Sequence, residues 1–382
     1  MYKQSLRTII KKIDGDLLTP ILIFQRLQGK KKFLLESSAK HETSGRYSFI
    51  GANPRKTYKG AGSNLLEISH LTNTTYSYEG DLVQLLKQVM PRISNQTDIP
   101  FTGGAVGYIR FNREYGMIPA VHFQIYETII IFDHIEQEVT FIYTNIDAEA
   151  KETNLNDLIA QITAPNDHNK LSCEVTTFTE LCSIDSFKKN VQKIQQQMNE
   201  GLTEIVLARK QKATIKGNPF EYYRALRIQN PSPYMYYIEF DDHIILGTSN
   251  DSIVSVAKGK VTTTTGGIED ISIKSSIQKS DSQAIADFAP SLHAIDALTH
   301  LLPADQVTGN LKETALQVIS EVEQEERNLF GGAIGYIGFN GQIDFALAND
   351  ALLIKDEFIY REIGTVVYPN SNYAKLYKGD EN

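Results

Sequence analysis

Glu36 and Ser37 put a carboxylate and a hydroxyl side by side, and Pro231, Tyr234 and Met235, far along the chain, offer rigid and polarizable surfaces. Together these residue types could hold an amino acid with a flat ring, the polar pair on its backbone groups and the walls on its face. On pattern alone, Leu34-Leu35 and Tyr234-Met235-Tyr236 read as strand core. Acid–base or metal chemistry has other candidates. Glu269-Asp270 stands in a predicted loop, Glu321, Glu323, Glu325 and Glu326 crowd one helix end, and Glu357 and Glu362 lie near strands. Such groups more often decorate solvated faces than ligate a cation. His293 and His300, two turns apart on a predicted helix, read as surface or satisfied core histidines. Gly-x-Ser-x-Gly, His-Glu-x-x-His and P-loop patterns are absent, so no competing hydrolase, zinc-protease or nucleotide-binding class is indicated.

Composition narrows the class. The 38 basic and 46 acidic residues give a net charge of -8, with no basic stripe interleaved with aromatics, so nucleic acid is not an expected partner. No secretory signal opens the chain and no apolar run could span a bilayer, which predicts a cytoplasmic protein without membrane contact. Cys173 and Cys182 fit neither a zinc spacing nor a disulfide framework and are read as free thiols. A chain of 382 residues exceeds one small core, and tryptophan is absent from it.

The elements that must position these groups leave periodic traces. Residues 33–38 and 46–51 are β-prone, and 81–90 carries Leu82, Leu85, Leu86 and Met90 at helical spacing. The run from Thr128 to Phe132, a break at Asp133-His134, and the alternation Val139, Phe141, Tyr143 predict an antiparallel hairpin with one solvated face. Residues 163–180, polar and aperiodic through Pro165, Asn166, Asp167, His168 and Asn169, read as a linker. Ser183 is the predicted N-cap of a helix whose stripe Ile184, Phe187, Val191, Ile194 and Met198 faces the core. Residues 101–112 recur as residues 330–340, with Gly103-Gly104-Ala105-Val106-Gly107-Tyr108 answered by Gly331-Gly332-Ala333-Ile334-Gly335-Tyr336. Neither copy has the arrangement of a phosphate-binding loop, so both are read as related strands that use glycine for close approach, in paired sheets of one fold.

Several ordered segments carry a resemblance. They are residues 33–38 with Gly45 to Gly51, Ile131-Phe132-Asp133-His134, Glu204 to Arg209, Asn230 to Tyr237, Gly247-Thr248-Ser249, Leu302-Pro303-Ala304, Val307-Thr308-Gly309 with Lys312, and the two glycine clusters. Through these the chain resembles anthranilate synthase component I, of the chorismate-utilising enzymes, over most of its length. The resemblance implies an α+β fold of two packed antiparallel β-sheets with outer helices, its core shortened between residues 270 and 293. An N-terminal region, 1–165, and a chorismate-binding-like region, 180–382, would interlock as one globular unit. It further implies tryptophan biosynthesis: chorismate plus ammonia or glutamine to anthranilate plus pyruvate, with Mg²⁺ as cofactor, a glutamine amidotransferase subunit as partner, and feedback inhibition by L-tryptophan. By the same resemblance Glu36, Ser37, Asn230, Pro231, Tyr234 and Met235 would bind tryptophan. Thr308, Gly309, Lys312 and Gly364 would bind substrate, and Lys312 and Glu204 are the candidate catalytic groups.

The departures from that family fall on its chemistry. Its Lys-Glu-x-Ala-Glu-His helix and Ser-His-x-Met-His segment, which supply a metal-ligating Glu and a His, have no counterpart between Asp270 and His293. Asp305 stands where a loop glycine is expected, and Ala346-Leu347-Ala348-Asn349-Asp350 replaces a strand whose Arg would fork a carboxylate. No metal ligand is assigned. Two readings follow: a chorismate lyase with a shortened site, or a noncatalytic relative that keeps the frame and a tryptophan- or partner-binding role.

Overall fold

The computed structural model describes residues 8–37, 45–93, 98–146, 154–164, 172–280, 282–323 and 326–378. Ser38, residues 165–169 of the predicted linker and Glu325 lie outside them. The first half runs β1 (Thr8–Asp14), α1 (Pro20–Arg26), β2 (Phe33–Glu36), β3 (Tyr47–Gly51), β4 (Lys56–Ala61), β5 (Asn64–Ser69), β6 (Thr74–Glu79), α2 (Leu82–Val89), β7 (Gly104–Ile109), β8 (Val121–Tyr126), β9 (Thr128–Asp133) and β10 (Glu138–Thr144). After α3 (Leu155–Thr163), β11 (Cys173–Val175), β12 (Thr179–Glu180) and α4 (Ile184–Gln197), the second half begins. It runs β13 (Ile205–Gly217), α5 (Pro219–Gln229), β14 (Tyr234–Glu239), β15 (Ile244–Ser249), β16 (Ser252–Ala257), β17 (Lys260–Thr263), β18 (Gln278–Lys279), β19 (Ala284–Asp287), α6 (Ala294–Leu301), α7 (Lys312–Val322), β20 (Ala333–Gly338), β21 (Ile343–Leu347), β22 (Asp350–Lys355), β23 (Phe358–Val367) and α8 (Tyr373–Lys378).

Two antiparallel sheets result, ordered β1-β10-β9-β3-β2-β14-β15-β22-β23-β13-β11, with β12 also on β13, and β18-β19-β17-β16-β21-β20-β7-β8-β4-β5-β6. In each, five strands on either side of the middle correspond in order, with β11 and β18 as extra strands at one end. β2 and β14 meet at the centre of the first sheet, with Leu34 opposite Tyr237. β7 and β20 meet at the centre of the second, with Gly107 opposite Gly335. The glycine echo of the sequence is therefore the seam of a pseudo-two-fold duplication, and both sheets combine strands from 1–165 and 180–382. Glycine is required there. A Cβ on Gly107 would lie 1.9 Å from the His122 carbonyl oxygen, and one on Gly335 2.0 Å from that of Asp344.

Between the sheets lies an aromatic-rich core containing Phe33, Phe49, Phe101, Tyr126, Tyr236 and Tyr336. Leu34, Phe24, Phe220, Tyr223 and Tyr237 pack the first sheet's other face against α1 and α5. Leu82, Leu85, Leu86, Ile295 and Leu298 from α2 and α6 cover the second sheet. Sequence explains these helices locally: Asp81 caps α2 by accepting from Val83 and Gln84 N–H, and Asn218 caps α5, whose first turn opens on Pro219. Ser183 caps α4, which buries Phe187, Val191 and Ile194, although Ile184 is exposed.

Two expectations need correction. The β9–β10 hairpin has no solvated face, because Phe141 joins the outer core while Ile142 faces the other sheet, and Thr140 and Thr144 are buried as well. Part of the predicted linker is strand: β11 and β12 add to β13. The shortened segment forms single turns at Ile268–Asp270 and Lys274–Ser276 before β18 and β19 extend the second sheet. Its Ile277, Ala284, Phe288 and Leu292 fold onto the α6 core. The segment thus covers apolar sheet surface itself.

Candidate functional site

At one end of the inter-sheet core a narrow cleft opens between the end of β2, the start of β14 and the β20–β21 pair. Leu35, Glu36, Ser37, Pro233, Tyr234 and Met235 line it from the first sheet, and Tyr336 and Asp344 from the second. Strand alternation decides which side chains enter. Tyr234 turns inward and donates from its hydroxyl to Asp344 Oδ1 at 2.9 Å. Asp344 is otherwise shut among apolar and phenolic groups, and burial pushes its carboxyl up to about 7. Glu36 and Met235 turn the opposite way. Glu36 Oε2 accepts from Tyr223 Oη at 2.7 Å and Oε1 from Arg227 Nη2 at 3.1 Å, beneath α5. Burial raises its pKa despite the guanidinium, and its carboxylate is not offered to the cleft. Asn230 and Pro231 lie on the exposed turn after α5, Asn230 donating to Thr248 Oγ1 at 2.9 Å. The clear space is about 70 Å³, room for a couple of waters, so an indole enters only as the walls part.

The residues assigned to substrate gather elsewhere, at the start of β13. Thr308 and Gly309 lie against it, with Val206 N–H donating to the Thr308 carbonyl at 3.0 Å and Gly309 bridging Ile205. Thr308 Oγ1 turns back on its own loop, to the Ala304 carbonyl at 3.2 Å. Gly364 is inside strand β23, opposite Ala208, and a Cβ there would lie 2.5 Å from Phe330 Cζ. The ring of Phe330 occupies that space. Glu362 holds it there, its carboxylate accepting the backbone N–H groups of Asn328, Leu329 and Phe330 at 2.8–3.0 Å.

Beside Phe330 the buried guanidinium of Arg327 uses four of its five N–H donors within the protein. Nη1 donates to the Val307 carbonyl at 2.6 Å, Nη2 to the Val206 carbonyl at 2.8 Å, and Nε and Nη2 fork Glu323 at 2.8 Å each. Glu323 Oε1 also accepts Ala208 N–H at 2.8 Å. Lys312 opens α7 half-buried; burial lowers its pKa against the attraction of Asp305 and Asp270. Glu204 keeps its place through its N–H, which donates to Asn310 Oδ1 at 3.0 Å. Asp350, in the segment that replaces the Arg-bearing strand, has its pKa raised by burial and by Asp251.

Comparison with known proteins decides the family. The profile described as chorismate binding enzyme matches residues 30–265 and 271–375, and anthranilate synthase component 1 of Lactococcus lactis is 30% identical over 94% of each chain. The chain belongs to the chorismate-binding enzyme family, on its anthranilate synthase component I branch. The component 1 of Acetivibrio thermocellus is 28% identical, covering 97% of this chain and 92% of that one. The crystal structure of component I from Streptococcus pneumoniae superposes with a TM-score of 0.76 at 27% identity, covering 96% and 97% of the two chains. The menaquinone-specific isochorismate synthase of Escherichia coli shares the fold, with a TM-score of 0.70 at 13% identity. The Lactococcus alignment extends over 436 positions against 382 residues here, so that relative carries segments this family member lacks.

Mg²⁺, which the family resemblance implies, does not fit the residues present. Glu323 and Glu362 are committed to Arg327 and to backbone N–H groups. Asp270 and Asp305 face the Lys312 ammonium, which would repel a divalent ion. Among the described residues no three His, Cys, Asp or Glu side chains form a group suited to a metal, and no helix is long and apolar enough to cross a membrane. Sequence reading missed Asp344, Tyr336 and Arg327. The signal for Asp344 was a lone acid at an alternating position of the apolar run from Ile343 to Leu347.

Proposed function

We propose that this family member binds L-tryptophan in the inter-sheet cleft and does not turn chorismate over. The observation that carries the second half is the ring of Phe330 packed on Gly364, with the Arg327 guanidinium committed to Glu323 and two carbonyls behind it. A dianionic substrate needs cationic or N–H donors that are free. Here Lys312 is set among Asp305 and Asp270, and Asp350 adds a further carboxylate within the segment that replaces the Arg-bearing strand. Support for tryptophan is the union of Ser37 and Tyr234 with the phenol and carboxyl of Tyr336 and Asp344 at one cleft. A glutamine amidotransferase subunit enters the proposal as a partner held by the frame, checked by co-purification with such a subunit.

Because the chain contains no tryptophan, anthranilate emission can be followed without protein background. Pure protein incubated with chorismate, Mg²⁺ and ammonium is expected to form no anthranilate above the uncatalysed rate. L-tryptophan at about a hundred times its Kd is expected to stabilise the fold by about 2.7 kcal/mol, which raises Tm by roughly 3 °C for a chain of this size. Steady anthranilate production would refute the first statement, and an unmoved Tm the second.

A further inference from the structure

The duplication that builds the sheets also builds the cleft twice. Phe33 lies opposite Gly51 with its ring against it, and Tyr236 lies opposite Gly247 in the same way, so these positions correspond across the pseudo-two-fold axis. Four residues on, Ser37 corresponds to Phe240. In the second sheet Tyr336 pairs with Asp344 as Tyr108 pairs with His122, so His122 stands where Asp344 stands. The end that holds His122 is filled. The Phe240 ring lies 4.2 Å from that of His122, stacks at 4.6 Å on His243, and meets Tyr108 edge-on at 5.3 Å. His122 is buried, neither of its ring nitrogens has a partner among the described residues, and burial holds it neutral. At the other end Ser37 supplies no ring, and a carboxyl takes the place of the imidazole.

We propose that Asp344 pairs with the α-ammonium of the amino acid held at the open end, whose ring lies where Phe240 lies at the closed end. This rests on the tryptophan reading above and adds to it a determinant for the cation and a dependence on pH. Among the described residues the carboxyl has one hydrogen-bond donor, Tyr234. The other titratable groups around it are the Tyr336 phenol, raised by burial, and Tyr47 at the rim, while Glu36 is turned away beneath α5. No cation of the chain answers Asp344 within ion-pair distance among the described residues, and an ammonium brought by a ligand would. The folded chain holds this proton more tightly than the unfolded chain, so stability from this group declines as pH rises from the ordinary carboxylate range through about 7. Ligand affinity moves the opposite way, because the ammonium needs the ionised form.

The test is calorimetric binding of L-tryptophan and of indole-3-propionate, which lacks the ammonium, to the full chain at pH 6, 7 and 8, with wild type and Asp344→Asn. Between pH 6 and pH 8 the ionised fraction of a carboxyl with pKa near 7 rises about tenfold. Wild-type affinity for L-tryptophan is expected to rise by the same factor, while indole-3-propionate shows no such rise. Asp344→Asn should weaken L-tryptophan about tenfold at pH 8 and flatten its pH profile. The wild-type comparison of the two ligands stands even if the variant fails to fold. L-tryptophan binding that ignores pH, or that Asp344→Asn leaves intact, overturns the role of Asp344 and leaves the tryptophan reading standing. No binding of L-tryptophan at any pH overturns both.

Discussion

Valine at Gly335 is expected to eliminate the soluble folded protein. Its Cβ would start 2.0 Å from the Asp344 carbonyl oxygen and 2.8 Å from Phe345 Cα, both of them backbone atoms. Ordinary overpacking costs about 1–3 kcal/mol because side chains can turn aside. Here β20 is held by β21 on one side and β7 on the other, so relief means parting strands at the centre of a sheet. A loss beyond about 4 kcal/mol is expected, read as insoluble expression and absent cooperative unfolding. Gly341→Asn is the control: Gly341 has φ of 81° and nothing within 4 Å of the place a Cβ would take, and asparagine tolerates that conformation. Soluble Gly335→Val with a Tm near wild type would contradict the account of the seam.

Arg327→Met should be the most damaging change at the substrate region. Its guanidinium is 1% exposed and satisfies Glu323 and the carbonyls of Val206 and Val307. Methionine fills much of the volume but leaves a nearly buried carboxylate and two carbonyls without their donors. Removing one partner of such a pair costs about 3–5 kcal/mol, whereas removing both charges costs far less. Urea unfolding should therefore show a large drop for Arg327→Met and partial recovery in Arg327→Met/Glu323→Gln. A double variant no better than the single one would mean that Glu323 is not what Arg327 holds.

Much of the architecture was legible because local signals agreed with it. Asp81 and Ser183 stand where helices begin, and the recurrent glycine cluster marked strands whose backbones approach too closely for a Cβ. The hairpin's second face was misread because Thr140 looks solvated in one dimension, while a sheet covered on both sides buries it. The acidic helix end was read as solvated for the same reason: Glu323 becomes buried through Arg327, whose ion pair four residues on is ambiguous until the carbonyls it also binds are known. Glu36 shows the limit most clearly. Its type suited an amino-acid ligand, but a strand sends alternate residues to opposite faces, and it is Leu35 that faces the aromatic core. Asp344 came into view only when two distant segments were seen to share one wall.

The central seams also govern how the polypeptide can be divided. Cut between residues 165 and 180, each fragment would expose two long unpaired ladder edges, β2 and β7 on one piece, β14 and β20 on the other. Such edges recruit any matching strand. Coexpressed fragments would have complementary edges to reassemble on, whereas a fragment alone could complete its sheets only by joining its own duplicate head to head. The chain is thus organised like a dimer written as one molecule, and its contacts of long sequence separation make assembly of the whole slow relative to a helical protein of equal length.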